Sequence, residues 1–304
     1  MKRYPAAIVA SCLVPWDERF EFMEDLFRRQ VRSLLNGLTR HVYIFGTACE
    51  GYAVTDRQFD QIVGVFREET RQPETHAMVG VISISLPIII ERIGRARDQG
   101  FRFFQISLPC WGALSDRELD IFFRETCGRF PDCGFLHYNL LRSKRLLVGK
   151  DYARLSVAHP NLVAVKMGGI DHAVLTDLLT QAPELQFFLS EGGYGKMRDQ
   201  HECGLLISRS STHFQKAHEF LEARGEKLRM MVAETDLIGK AMRVGLDSSC
   251  HMDGVFDKLL CKLHMPEFPL RLLPPYSFAT EEAFRKFKEA MPPQWLPVPE
   301  SVAT

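Results

Sequence analysis

The chain lacks the signatures of a disulfide framework and of the common metal sites. None of its eight cysteines forms a CxxC pair, no HxH doublet ends a strand, and no HExxH motif occurs. Cys12, Cys49, Cys110, Cys127, Cys133, Cys203, Cys250 and Cys261 are scattered, several inside apolar runs such as Val-Ala-Ser-Cys-Leu-Val at 9–14. That pattern reads as buried free thiols in a reducing cytoplasm. His201-Glu202-Cys203, His213 and His218 fall in helical or linking segments, which disfavours a metal-dependent hydrolase or class II aldolase; no metal site is expected. Neither sign of charge is in excess: 38 basic residues face 38 acidic ones, so no global field draws nucleic acid or a membrane surface. The longest stretch free of charge and His, Ala77 to Ile90, is broken by Ser and Pro and is too short to cross a bilayer. Val9-Ala10-Ser11-Cys12 imitates a lipoprotein signal. Its apolar core from Ala6 to Ala10 is short, Pro5 interrupts its start, and the run continues through Leu13 and Val14 as a strand, so a cytoplasmic protein is expected.

What is present is ordinary globular composition, 46% apolar and 25% charged over 304 residues, ample for a large core. Strand-like runs occur at Ala6–Val14, His41–Phe45, Ala77–Ile82, Phe101–Leu108, Gly134–Tyr138, Leu162–Lys166, Leu185–Leu189 and Leu205–Ser208. Amphipathic helical segments fill the gaps: Thr55 caps one with Phe59, Ile62, Val63 and Phe66 on a single face, and Ser115 to Glu118 forms a capping box before another. Several strands are continuously apolar, as parallel strands covered on both faces require. Eight such units predict a (β/α)8 barrel over 1–228, with an open doubly wound sheet as the competitor. In the seventh unit only Lys196 to Gly204 is available for a helix. Residues 229–304 read as extra helices followed by a Pro-rich extended tail from Pro292.

In a barrel the chemistry sits where strands end. Lys166 closes the run Val163-Ala164-Val165, followed by Gly168 and Gly169. Burial disfavours the ammonium, and a neutral amine at a barrel mouth is what imine formation with a ketone needs; the ordinary alternative is a lysine that reaches solvent at the strand end. Tyr138 supplies a phenol able to pass protons, or else a core tyrosine bonded to backbone. Thr47, in a glycine-led turn, can hold that phenol or cap a helix. Gly192, Gly193 and Gly195 after strand seven, with Ser208-Arg209-Ser210-Ser211 after strand eight, also admit a phosphate-binding barrel.

Taken together, Gly46-Thr47-Ala48-Cys49-Glu50-Gly51, Tyr138-Asn139 and Leu162 to Gly169 resemble the dihydrodipicolinate synthase / N-acetylneuraminate lyase family. Tyr138 and Lys166 stand 28 residues apart, as that family spaces its tyrosine and Schiff-base lysine. Ser107-Leu108-Pro109-Cys110-Trp111-Gly112 occupies the place of a Pro-Tyr-Tyr segment. Gly204 to Ser208 resembles the family's late G-x-I-S strand, which puts Ile207 at the pocket. Phe268 to Tyr276 is a weaker echo.

The resemblance implies a class I aldolase-type barrel, usually a homotetramer; a dimer or tetramer is expected. Lys166 would condense with the keto carbon of pyruvate or a related 2-oxo acid, with no cofactor beyond that covalent imine. Tyr138 would shuttle protons with help from Thr47, and the N–H groups of the Ala48-Cys49 turn would bind the carboxylate. The departures are specific. Ala48 replaces a hydroxyl, and Cys49 replaces a glycine. Trp111 stands where the synthases place a tyrosine inserted into a neighbouring subunit, and indole cannot relay a proton. Leu141 and Ser143 replace the proline and arginine of Y-N-x-P-x-R, with Arg142 one residue away. Glu191 brings a carboxylate near the pocket, suited to substrate hydroxyls. These changes disfavour the lysine-biosynthetic reaction and leave a lyase or aldolase on another 2-oxo acid; the rival is a non-catalytic member acting as a binding or regulatory protein.

Overall fold

The structure, a computed structural model, describes residues 3–169 and 171–297. Eight parallel strands close into a barrel in chain order: β1 (Ile8–Ser11), β2 (His41–Ile44), β3 (His76–Gly80), β4 (Phe103–Ile106), β5 (Gly134–Asn139), β6 (Leu162–Met167), β7 (Gln186–Leu189) and β8 (Gly204–Leu206). Closure is made by β8 on β1, where Leu205 pairs with Ile8 and Leu206 with Val9. Helices alternate with them: α1 (Glu24–Gly37), α2 (Asp56–Glu69), α3 (Leu86–Asp98), α4 (Asp116–Phe123), α5 (Gly149–Ala158), α6 (His172–Gln181), α7 (Glu191–Met197) and α8 (Phe214–Glu222). Thr55 and Ser115 cap α2 and α4 through reciprocal capping boxes. This is the expected (β/α)8 barrel.

Strand alternation sorts the side chains into two apolar groups. Val9, Tyr43, Met78, Leu136, Ala164 and Phe188 fill the barrel interior. Their neighbours, such as Ile8, Val42, Val79 and Val165, pack outward against the helices. The same parity aims Tyr138 and Lys166, paired across β5 and β6, into the upper barrel. Tyr4 plugs the lower end, edge-on to His41, His76, Phe103 and Phe188.

The seventh unit departs from expectation. Its helix does not wait for Lys196 but begins at Glu191 and contains the glycine cluster. Glycine is a poor helix former, and close packing is the reason for it here: a Cβ on Gly193 would lie 2.8 Å from the carbonyl oxygen of Gly169, and one on Gly195 would lie 2.3 Å from Val232. The glycines let α7 approach its neighbours and do not make a mobile loop.

Beyond the barrel follow α9 (Gly225–Ala241), α10 (Asp253–His264) and α11 (Glu281–Ala290); residue 229 lies within α9. The expected tail is in part folded. A 3-10 turn at Pro293–Trp295 buries the indole of Trp295, which donates to Glu234 Oε2 at 2.6 Å. Residues 298–304 of that segment lie outside the described residues. Among the described residues, no helix is long and apolar enough to cross a membrane.

Candidate active site

At the C-terminal ends of the strands lies a cavity of about 230 Å3 lined by Lys166, Tyr138, Tyr43, Thr47, Asp253 and Asp257, among others. Lys166 is 3% exposed. Its Nζ donates to Tyr43 Oη at 2.7 Å and to Gln105 Oε1 at 3.3 Å, and lies 4.3 Å from the ring centroids of both Tyr43 and Tyr138. Burial pulls its pKa down to about 8, although Cys49, Asp253 and Asp257 favour the charged form. Burial raises both phenols, Tyr138 to about 12 and Tyr43 well above its ordinary value, so each keeps its proton at neutral pH and can donate it.

Two carboxylates from α10 face this amine. Burial alone would raise Asp253, but hydrogen bonds from Arg142 and Thr47 and the charges of Arg142 and Lys166 outweigh it and leave the carboxyl below its ordinary value. Arg142 grips it with Nη1 at 2.9 Å from Oδ2 and Nη2 at 3.0 Å from Oδ1. Asp257, one turn later, is pushed up to about 7 by burial and then by the charge of Asp253, with Lys166 opposing; Ser208 Oγ donates to it at 3.3 Å. Thr47 lines the same cavity as Tyr138 and Asp253, and its hydroxyl favours the charged form of both.

α10 is held over the barrel mouth by a buried ion pair. Lys258 Nζ meets Glu50 Oε2 at 2.7 Å, with both side chains essentially inaccessible, and Trp16 Nε1 donates to the same oxygen at 3.0 Å. Glu50 ends the turn that carries Thr47 and Ala48, so one contact sets the spacing between that turn and the two aspartates. The turn closes through Glu50 N–H to Thr47 C=O (3.4 Å) and Gly51 N–H to Gly46 C=O (3.3 Å); neither bond uses the N–H of Ala48 or Cys49.

Of the residues singled out from sequence, Lys166, Tyr138, Thr47, Ala48 and Ile207 line the cavity. Three do not. Cys49 is fully buried behind the turn, where burial lifts its thiol to about 12. Trp111 is 84% exposed on the loop after β4. Glu191 is 2% exposed, and its Oε1 accepts from the backbone N–H of Ser208 (2.9 Å), the N–H of Ser210 (3.0 Å) and Ser210 Oγ (2.9 Å). It braces the loop after β8 and is not presented to a ligand. It also occupies the amides that a phosphate-binding barrel would use, which removes the observation behind that reading. Arg142 is committed to Asp253.

Sequence reasoning missed Tyr43, Gln105, Asp253 and Asp257. Tyr43 and Gln105 carried a signal, being polar-capable side chains at inward positions of apolar strands. The aspartates carried none, since an i, i+4 acid pair on a helix looks like a solvated face. Among the described residues no group of three or more His, Cys, Asp or Glu side chains could hold a metal ion.

No family model matches the chain, and no curated protein matches it by sequence. Solved structures do resemble it. Dihydrodipicolinate synthase from Cyanidioschyzon merolae, solved with lysine bound, superposes with a TM-score of 0.81 at 16% identity, covering 95% of this chain and 98% of that one. YagE, a prophage protein of the dihydrodipicolinic acid synthase family from Escherichia coli K12 solved with pyruvate, gives 0.81 at 13% identity over 93% and 96%. The 4-hydroxy-tetrahydrodipicolinate synthase of Methylacidiphilum fumariolicum SolV gives 0.80 at 14% over 95% of each chain. The chain therefore has the fold of the dihydrodipicolinate synthases over nearly its whole length.

Proposed function

We propose that this protein is a Schiff-base lyase or aldolase acting on pyruvate or a related 2-oxo acid. The observation that carries the reading is a buried lysine of lowered pKa whose Nζ lies between two phenols in a cavity at the barrel mouth. The neutral Lys166 amine attacks the keto carbon to give a carbinolamine. Tyr138 protonates the carbinolamine oxygen, water leaves, and an iminium remains on Nζ. That cation draws electrons from the adjacent carbon, which then loses a proton or a carbon substituent to give an enamine. The reverse sequence makes the bond. No cofactor beyond the imine is invoked. The N–H of Ala48, on the cavity wall, binds the carboxylate, while Cys49 is fully buried and out of its reach; lacking the hydroxyl that Ala48 replaces, the turn holds the carboxylate by about 1.5–3 kcal/mol less than a hydroxyl-bearing one would.

The substrate is not that of the lysine pathway in this reading, because Arg142 faces Asp253 and Ser143 donates to the carbonyls of Leu140 and Arg145. Arg243 at the cavity rim, its guanidinium over Phe256, is the group placed to meet a distal anionic group. The chain acts as a homo-oligomer in the cytoplasm. Borohydride reduction with pyruvate, followed by peptide mapping, tests the chemistry. A pyruvyl adduct on Lys166 that disappears in Lys166→Ala is the expected result. No adduct with pyruvate or with larger 2-oxo acids would overturn the reading in favour of a non-catalytic binding protein.

A further inference from the structure

We propose that Asp257 of α10 is the base that takes the proton of a substrate hydroxyl as the carbon–carbon bond breaks, which makes the substrate a 4-hydroxy-2-oxo acid. The proposal rests on the Schiff-base reading of Lys166 and deepens it.

Two acids stand on the cavity wall with Lys166, and one of them is free to accept a proton. Both Asp253 oxygens are taken by Arg142, at 2.9 and 3.0 Å. Among the described residues a single hydrogen bond reaches Asp257, from Ser208 Oγ to Oδ1 at 3.3 Å, which leaves Oδ2 unclaimed. The order of the barrel sets where this carboxyl stands. Ser11 ends β1 and Ser208 follows β8, and both line the cavity beside Asp257. In a closed ring of eight strands β1 lies across from β5, which carries Tyr138. An imine on Lys166 therefore has a phenol on one side of the cavity and a carboxyl on the other. Tyr138 serves the oxygen that leaves C2 as water, and Asp257 serves the oxygen at C4.

Asp257 also borders a second cavity, of about 50 Å3, between β1, α1 and α10. Its wall includes Ser33, Ser211 and Gln30, whose Oε1 meets no hydrogen-bond donor although the side chain is 4% exposed. A space of that size and polarity admits a few water molecules, so Asp257 can return a proton to solvent while substrate fills the reactive cavity. Burial and the Asp253 charge bring the carboxyl to about 7 against the pull of Lys166, with Glu191 of α7 adding to the rise. Both its forms are then populated at neutral pH, as a group that works in either direction requires. The other ionisable groups on the walls around it are Tyr43, Tyr138, Arg209 and Arg243 in the reactive cavity, and Cys261 and His264 in the second. Of these, Arg209 is held by Asp236 at 2.6 Å.

The step balances without a redox partner. Asp257 Oδ2 takes the proton of the C4 hydroxyl, the O–H electron pair becomes the second bond of a carbonyl, and the C3–C4 bond breaks. Its electron pair forms the C2–C3 double bond of the enamine as the iminium π pair returns to Lys166 Nζ. The carbonyl product leaves, and Asp257 gives up its proton. Bond formation runs the same step backwards, with Asp257 as the acid.

Pyruvate release from 4-hydroxy-2-oxopentanoate and from 4-hydroxy-2-oxopentanedioate, the second carrying a distal anion for Arg243, tests this in wild type, Asp257→Asn and Ser208→Ala. Two reactions that involve no C4 hydroxyl run beside it: borohydride trapping of pyruvate, and deuterium exchange of its methyl group in D2O. Asp257→Asn is expected to lower cleavage by about a hundredfold or more and to lose the wild-type rise of kcat through about pH 7. The Lys166 adduct and the exchange should stay near wild type. Cleavage at the wild-type rate would overturn the assignment, and so would an equal loss of cleavage and exchange, which marks a structural part. Should Asp257→Asn not fold, Ser208→Ala reads the same group. Without that hydroxyl the carboxylate is less favoured, so the rise of kcat should move to higher pH, and an unmoved profile counts against Asp257. Wild type that gives the adduct and cleaves neither probe strikes the assignment alone. No adduct in wild type strikes the Schiff-base reading, and the role of Asp257 with it.

Discussion

Lys166 owes its reactivity to exclusion of water, against the pull of its neighbours. Two phenol faces and two aspartates favour the ammonium, yet burial wins and the group titrates near pH 8. Imine trapping is accordingly expected to rise with pH and level off above about pH 8; a profile flat from pH 6 upward would contradict the burial argument. The same shift carries a stability cost. The buried amine loses its proton near 8 in the folded chain, whereas its ordinary value is 10.5. The folded state therefore binds fewer protons between those values. The penalty is full below pH 8, is relieved as pH rises towards 10.5, and amounts to about 3 kcal/mol at most. Lys166→Met should abolish trapping and raise the melting temperature at pH 7. A lower melting temperature would mean that the amine's hydrogen bonds to Tyr43 and Gln105 outweigh its desolvation.

At the scale of elements, the site depends on a helix outside the barrel. The Glu50–Lys258 pair is the clasp between the turn after β2 and α10. Removing one member of a buried pair strands the other, so Lys258→Met should destabilise the fold by about 3–5 kcal/mol in urea denaturation, whereas an effect below about 1 kcal/mol would show the pair to be dispensable. The barrel itself was legible, because its strands are apolar runs regularly punctuated by caps such as Thr55 and Ser115, and Lys166 stood out as a charge closing such a run at its C-terminal end. Tertiary packing hid the rest. The glycines of α7 look like a loop until Gly169 and Val232 are seen against them. Glu191 looks like a pocket carboxylate until the amides of Ser208 and Ser210 are seen to hold it. Asp253 and Asp257 acquire meaning only when α10 folds back over the barrel.

For the whole molecule, large apolar side chains are exposed in several places, Val157 of α5 and Met230 of α9 among them, and three more sit on neighbouring loops. Ile84, Trp111 and Leu141 are 62%, 84% and 79% exposed on the loops after β3, β4 and β5, at the mouth end, and Lys144 of one loop donates to the Trp111 carbonyl of another at 2.8 Å. In the homo-oligomer proposed above, exposed apolar side chains of this kind are where a second copy would pack. Trp111→Glu should shift sedimentation towards smaller species while leaving the adduct on Lys166 in place; an unchanged sedimentation profile would remove this face from the assembly.

Glu191 has a consequence for how such a scaffold diversifies. The chain supplies its own anion to two amides and a hydroxyl beside the loop after β8, much as a tethered inhibitor fills a receptor. Glu191→Gly would unseat that tenant and leave three donors unpaired near the mouth. Inorganic phosphate is then expected to raise the variant's melting temperature and not that of wild type. A single codon would stand between a barrel closed to phosphate esters and one open to them.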